Sequence, residues 1–413
     1  MDAVIAKINS FFPRRLHDRL LMVGGMVRDI LLGIDCQDVD LVAAVPPSEL
    51  TSLGFRLVES KSTPNIYFLF HKELGKIEVT QLDSLENLPS DLQRRDFTIN
   101  AIAMTLDGNI LDPLVGRGDL AKRILRTCSA DSLRNDPVRI FRALRFECEG
   151  WRLDPEASAQ VLSGDWSDPL QGVPVERFSQ EMLKALTKEE PTRFFRRMLE
   201  FQVGESYLPE IFRMPEVPAG PLQYHPEGDL FAHAMQALER MSLQSPDVIA
   251  RFCALFHDLG KLATPETEYP KHHGHEEAGA AAAAAFCKRL RLPVSLQRAL
   301  QATCRFHGNG NNWEELREST KIKVAQGAIK GGIEGILPMV VRADSGGVMA
   351  GWQETVRIAS MNAAQLGLDP ALFSDPSFPP ESCQQILMQR RVELLRETLK
   401  SILPTSPLPK GEG

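Results

Sequence analysis

The sequence predicts an α+β protein in three stretches: a small α/β head, an all-helical middle and a helical, histidine-rich end. Short β-rich runs crowd between Leu20 and Leu82, long helical patterns take over after about Asp131, and seven of the nine histidines follow His71. The first two observations are a change of hydrophobic period from alternation to the helical repeat. The third gathers metal-ligating side chains toward one end of the chain.

Taken in order, LLMVGG from Leu20 is an apolar run closed by two glycines, and MVRDILLG after it is helical. VDLVAAV, NIYFLFH and KIEVTQL read as strands bounded by turn residues. Beyond Asp131, PVRIFRALRFEC, VERFSQEMLKAL and PTRFFRRMLEF carry helical periodicity between loops with Pro and Gly. Segment 214–229, MPEVPAGPLQYHPEGD, holds four prolines and is the expected linker. Helices then resume, and the Pro/Gly-rich tail ILPTSPLPKGEG is expected to be disordered. The expected domains are 1–130 (head, with a flexible loop at about 107–120), 131–215 (helical neck and body), 225–350 (histidine-rich helices) and 351–413 (C-terminal helices and tail).

Composition narrows the function classes. With 413 residues, 43% hydrophobic and 24% charged, the chain is a folded globular protein and neither disordered nor collagenous. No apolar run approaches the roughly 18–20 residues that cross a bilayer. The start, MDAVIAKINSFFPRR, lacks the basic-then-apolar order of a secretory signal, so the expectation is a cytoplasmic protein without a membrane partner. The seven cysteines (Cys36, Cys128, Cys148, Cys253, Cys287, Cys304, Cys383) are scattered with no CxxC pair, and read as reduced, mostly buried thiols. A net charge of −7 argues against binding nucleic acid over the whole surface but leaves room for a local basic groove.

In the head, Gly24 and Gly25 sit between a strand and a helix that holds Arg28 and Asp29. Adjacent glycines there let backbone N–H groups approach a phosphate, although a plain tight turn would also use them. Asp38 and Asp40 stand two apart in DVDLVAAV, so both carboxylates project to one face of the strand. Like charges that close repel unless a cation lies between them, and such a pair suits two Mg²⁺ ions for in-line phosphoryl transfer. A solvated strand edge is the alternative for that pair alone. Glu78, alternating with Ile77 and Val79 in KIEVTQL, supplies a third carboxylate.

The ordered set GGMVRDILLG, DVD, RRDFTINAIAM, DPLVGRGDL (Asp112 to Leu120), NDPVRIFRALRF (Asn135 to Phe146) and VPVERFSQEMLKAL (Val173 to Leu186) resembles the class II tRNA nucleotidyltransferase and bacterial poly(A) polymerase family. The resemblance implies a polymerase-β-like nucleotidyltransferase head followed by an all-α neck and body. It also implies Mg²⁺ at the head site, CTP and ATP as substrates, and the tRNA acceptor stem and 3′ end as partner. Arg94 and Arg95 offer donors to a triphosphate, and Asp96 and Asn100 can bond a ribose hydroxyl. The family's base-reading acid and arginine match Asp136 and Arg139, on a helix where Arg142 and Arg145 continue a basic stripe, and Asn135 or Asp136 is placed to cap that helix. Asn135 stands where the family commonly has Glu, which weakens the expectation for the C-to-A switch. The intact DPLVGRGDL block points the other way, toward addition of A.

A second constellation follows. His257-Asp258 lie in ALFHDLGK, read as a helix ending at Gly260, and His233, His272, His273, His275, His307 and Asp344 accompany them. A buried His-Asp pair needs a partner charge. The order resembles the HD phosphohydrolase domain, nearest to the C-terminal half of the multifunctional CCA proteins, where HPEGD, HDLGK and HHGHE occur in this order. The resemblance implies metal ligands at His233, His257, Asp258 and Asp344, with His275 and His307 as extra ligands and His272 and His273 toward substrate phosphate. Lys261, next to Gly260, either helps to bind that phosphate or is a solvated lysine at a helix end. It implies a divalent ion such as Ni²⁺, Mn²⁺ or Mg²⁺ and hydrolysis of 2′,3′-cyclic phosphates, 2′-nucleotides or other phosphoesters. The expected function is template-free addition or repair of the 3′-terminal CCA of tRNA, with Arg196 and Arg197 meeting tRNA phosphates. An A-adding enzyme, a poly(A) polymerase and an HD phosphohydrolase that uses its head to hold RNA are the alternatives. The sequence does not choose between monomer and dimer.

Overall fold

The computed structural model describes residues 2–35, 38–58, 65–369 and 379–402; Cys36 and the Pro/Gly-rich tail after Ile402, with the expectations made for them, lie outside this set. The chain divides into two compact units, Met1–Val173 and Pro174–Gly413. No described helix is long and apolar enough to cross a membrane.

The first unit is built on a seven-stranded sheet: β1 (Leu20–Val23), β2 (Val39–Ala43), β3 (Arg56–Leu57), β4 (Ile66–His71), β5 (Gly75–Gln81), β6 (Ala103–Thr105) and β7 (Ile110–Leu111). Their order is β3-β4-β5-β2-β1-β6-β7, and only β2 and β5 run parallel. The four β-rich runs of the sequence are β1, β2, β4 and β5, in the middle of this sheet. Alternation decides its faces. Leu41, Ile77, Val79 and Tyr67 are buried on one face, where the ring of Phe11 meets His71 at 5.2 Å. Asp40, Glu78 and Phe68, directly paired in register, point to the other. Further helices, including Val138–Glu147, follow within the same unit.

The second unit is helical around a core that includes Trp313, Trp352, Ile322, Val340 and Val341. Each tryptophan ring N–H in that core donates to a carbonyl, Trp313 to Ala350 at 2.8 Å and Trp352 to Glu334 at 2.7 Å, so the polar ends are satisfied. Arg251, 5% exposed, donates to the carbonyls of Leu186, Lys188, Ser242 and Ser245, tying the end of helix Val175–Leu186 to helix Val248–Phe256. The proline-rich segment 214–229 is not a loose linker. Val217 and Ala219 are buried, and Pro218 bridges Asp229, because prolines here shape a packed turn instead of an exposed connection.

Candidate active sites

The head site forms where β2 and β5 lie side by side under the start of helix Gly24–Leu32. Gly24 has φ +71°, and a Cβ there would stand 3.0 Å from Asp40 Oδ2 and 3.1 Å from Arg95 Nη1, so only glycine lets the backbone come this close. Burial raises the Asp40 carboxyl to about 6, the neighbouring Glu78 and Asp38 charges push the same way, and Arg95 opposes them. Three acids thus converge and the ionisation of one is made costlier, the signature of a site that takes up cationic charge. Asp38 itself is exposed and stands just before β2, outside the strand that the sequence assigns it to. Glu78 lies opposite Asp40 in register and accepts from Lys76 Nζ at 2.7 Å.

A cleft of about 370 Å³ brings together Gly24, Gly25, Asp40, Arg94, Arg95, Asp96, Asn100, Asp136, Arg139 and Arg142. Arg28 and Arg145 sit one step outside it, both against the Phe146 ring at 5.2 and 4.4 Å, and Arg28 donates to Asn100 Oδ1 at 2.8 Å. Asp91, not singled out in the sequence, holds both phosphate-side arginines, Arg94 at 2.8 Å and Arg95 at 3.0 Å. Its i, i+3 and i+4 spacing to them was the available signal. Asp96 has both oxygens engaged: Oδ1 accepts from the Phe97 N–H and Asn100 Nδ2, and Oδ2 from Arg142 at 2.9 Å. It therefore sets Asn100 and Arg142 in place at the wall of the cleft.

Arg139 is fixed from several sides. Its guanidinium donates to Ser132 Oγ at 2.6 Å and to the carbonyls of Arg94 at 2.5 Å and Arg95 at 3.0 Å, with Asp136 Oδ2 3.8 Å away. The helix starts at Val138 with Pro137 in the N-cap place, one residue beyond Asp136, and the proline supplies the helical backbone angle itself. Over 107–120 the chain forms β7 and most of helix Gly116–Lys122, and Asp112 accepts from the Gly116 and Arg117 N–H groups.

The second site lies wholly in the second unit. Helix Val248–Phe256 stops before His257, and Leu259–Ala263 is a 3₁₀ turn, so the His-Asp pair sits at the break and not within the helix. A Cβ on Gly260 would run into the His275 carbonyl, so glycine there allows the close packing of the turn against helix His275–Arg289. Four imidazoles have Nδ1 engaged: His233 with Glu227 Oε1 at 2.7 Å, His257 with the Ala254 carbonyl at 2.8 Å, His275 with the His272 carbonyl at 2.9 Å and His307 with the Cys304 carbonyl at 3.0 Å. Donating from Nδ1 leaves Nε2 as the lone-pair nitrogen. Those four Nε2 atoms converge: His233 and His257 are 3.3 Å apart, and His275 and His307 are 3.3 Å apart.

Two carboxylates close the cluster. Asp344 Oδ1 is 3.1 Å from His233 and 3.5 Å from His257. Asp258 Oδ2 is 3.3 Å from His257, while Oδ1 is 3.2 Å from His307 and 3.4 Å from His275. Asp258 Oδ1 is buried without a hydrogen-bond partner. Burial alone would lower the His257 pKa, but the Asp258 and Asp344 charges overcome it and hold the ring well above its ordinary range. Imidazole nitrogens and ionised carboxylates this close together demand cationic charge, a proton on His257 or a metal ion, and the residues would fit one or two divalent ions.

The remaining sequence candidates fall differently. Lys261 is buried, 2.6 Å from Asp258 Oδ2, and donates to the Ala219 carbonyl, so it neutralises a ligand carboxylate and is not solvated. His272 is fully buried with both ring nitrogens occupied, by Thr264 Oγ1 and the Pro218 carbonyl, which turns it from any substrate; His273 is exposed. Glu227 and His225, from HPEGD in the expected linker, stand behind His233, with Glu227 accepting from both rings.

Three family descriptions match the chain: the Poly A polymerase head domain over 20–84 and 68–126, the probable RNA and SrmB-binding site of polymerase A over 165–214, and the HD domain over 230–326. A multifunctional CCA protein of Methylococcus capsulatus is 32% identical over 430 residues, covering 96% of this chain and 100% of that protein. One from Nitrosococcus oceani is 38% identical over 321 residues, covering 73% of this chain and 78% of that protein. Among solved structures, a Bacillus stearothermophilus CCA-adding enzyme in complex with CTP superposes with a TM-score of 0.60 at 22% identity, covering 98% of this chain and 93% of that one. A Thermotoga maritima CCA-adding enzyme complexed with tRNA gives 0.60 at 21%, covering 97% and 98%. At these identities the solved structures speak for the fold.

Proposed function

The chain belongs to the multifunctional CCA protein family, and from that premise we propose that it is a tRNA nucleotidyltransferase that adds or repairs the 3′-terminal CCA from CTP and ATP without a nucleic-acid template. The observation that carries the reading is the cleft with carboxylates on one wall and an oriented acid–arginine pair on another. Asp38, Asp40 and Glu78 are the residues that would hold Mg²⁺, which supplies activation of the attacking 3′-hydroxyl and neutralisation of the leaving pyrophosphate. Gly24 and Gly25 bring the backbone to the triphosphate, and Arg94 and Arg95, braced by Asp91, meet its charge. Asp136 and Arg139 present one acceptor and one forked donor to the edge of C or A. Hydrogen bonds from Arg139 to Ser132 and two backbone carbonyls support this reading with Asn135 in the place of the family's Glu.

In the second unit, His233, His257, Asp258 and Asp344, joined by His275 and His307, would hold a divalent ion, which supplies an activated water for phosphoester hydrolysis. A nitrogen-rich donor set suits Ni²⁺ better than Mn²⁺ or Mg²⁺. The cyclic phosphates and 2′-nucleotides expected from the sequence are its proposed substrates. Segments 1–130, 131–215, 225–350 and 351–413 are the proposed head, neck and body, HD domain and C-terminal region, with the tRNA acceptor stem against the neck and body, Arg196 and Arg197 included.

The two assignments separate in one experiment. Asp40→Asn should abolish incorporation of labelled CTP and ATP into tRNA while metal-dependent phosphatase activity persists, and Asp258→Ala should do the reverse. If either variant is silent in both assays, the two-site reading is wrong.

A further inference from the structure

The carboxylate face of the head sheet continues beyond the nucleotide cleft. Directly paired residues share a face, so Asp40, Glu78 and Phe68 form one row across β2, β5 and β4. One neighbouring row is Val42, Thr80 and Ile66; on the opposite side of the first, Lys76 pairs with Phe70. The cleft takes in Thr80 and Ile66. The Lys76–Phe70 side is open: Phe70 is 73% exposed, and its ring lies 6.0 Å from that of Phe68 at 77°. The reverse face of these strands already buries Tyr67, Ile77 and Val79. Packing on that reverse face therefore gives no reason for two phenylalanines here, and an aromatic pair of one half-buried and one exposed ring beside a reactive centre marks a contact surface.

We propose that Phe68 and Phe70 form a stacking platform for the unpaired 3′ end of the RNA that is extended. The inference rests on the nucleotidyltransferase reading. In-line displacement places the attacking hydroxyl and the leaving pyrophosphate on opposite sides of the phosphorus. With the nucleotide held toward Ile66, Thr80 and Arg139, the RNA end arrives from the side of Lys76 and Phe70. Strand spacing puts Phe68 about 10 Å from Asp40 across the sheet, within reach of the terminal nucleotide and its neighbour. Aromatic faces stack on any base, which suits an RNA end whose last base changes with each addition, and the part-exposed Lys76, paired with Glu78 at 2.7 Å, is a cation on that side within reach of backbone phosphates.

The test is a binding contrast on the full chain. Dissociation constants are measured for a tRNA ending in CC and for the same tRNA trimmed of its unpaired 3′ nucleotides, with the unaltered protein, Phe68→Ala/Phe70→Ala, Phe70→Leu and Phe70→Trp. The double alanine variant should bind the CC-ended tRNA about 5- to 100-fold more weakly, bind the trimmed tRNA as before, and keep its KM for CTP. Phe70→Trp should retain affinity and Phe70→Leu should lose it. Equal loss on both tRNAs, no loss on either, or full retention with leucine would overturn the platform. The contrast reads binding alone; absence of nucleotide addition by the unaltered chain would overturn the nucleotidyltransferase reading instead.

Discussion

At the scale of single residues, both sites depend on side chains that hold others. Glu227 fixes the His233 ring through Nδ1, so Glu227→Gln should lower metal affinity of the second unit about 10- to 100-fold, read by chelator competition, with the head's nucleotide incorporation unchanged. Asp96 gives a pH-dependent prediction. Burial would raise its pKa, but Arg142, with bonds from Asn100 and the Phe97 N–H, outweighs burial and holds it below the ordinary carboxylate value. A depressed carboxylate contributes stability that is present above its unfolded pKa of about 3.9 and is lost as pH falls through the folded value. Asp96→Asn should therefore cost about 2 kcal/mol at pH 7, and the gap from the unaltered protein should close below about pH 4 in denaturant titrations followed through the head. The conspicuous residues (Asp38, Asp40, His257, Asp258) were legible because adjacent like charges or a His-Asp pair have few bland uses. Asp91 and Glu227 were not, since a lone acid in LPSDLQ or in a proline-rich stretch looks like solvated surface until its partners are placed.

At the scale of elements, alternation and periodicity read well and pairing did not. The strands β1, β2, β4 and β5 and the helices Val138–Glu147, Val175–Leu186 and Thr192–Phe201 all stand where the sequence has them. Two-residue strands such as β3 and β7 carry too little pattern to register, and nothing local tells β2 to run parallel to β5. Four prolines suggested a linker at 214–229, whereas the buried Val217 and Ala219 between them bind the segment to the second unit. Arg251 is the clearest joint between elements there. Removing it leaves the four carbonyls it serves without that donor, so Arg251→Met should destabilise the second unit by about 2–4 kcal/mol, measured as a lower midpoint of thermal or urea unfolding.

At the scale of the molecule, a chain of net charge −7 handles polyanionic substrates by concentrating its cations: Arg94, Arg95, Arg139 and Arg142 line one cleft, each held by a named acid or carbonyl. Each of the two units then carries its own acid-rich centre, one of carboxylates and one of imidazoles with carboxylates. The central claim is that the first of these builds CCA. The most direct measurement supplies three tRNAs, lacking CCA, CA or only the final A, with labelled CTP and ATP separately and together. Ordered addition of C, C and then A, followed by a stop, is the predicted result. Addition of A alone to the tRNA ending in CC, long A tails on unrelated RNA, or no incorporation at all would contradict it.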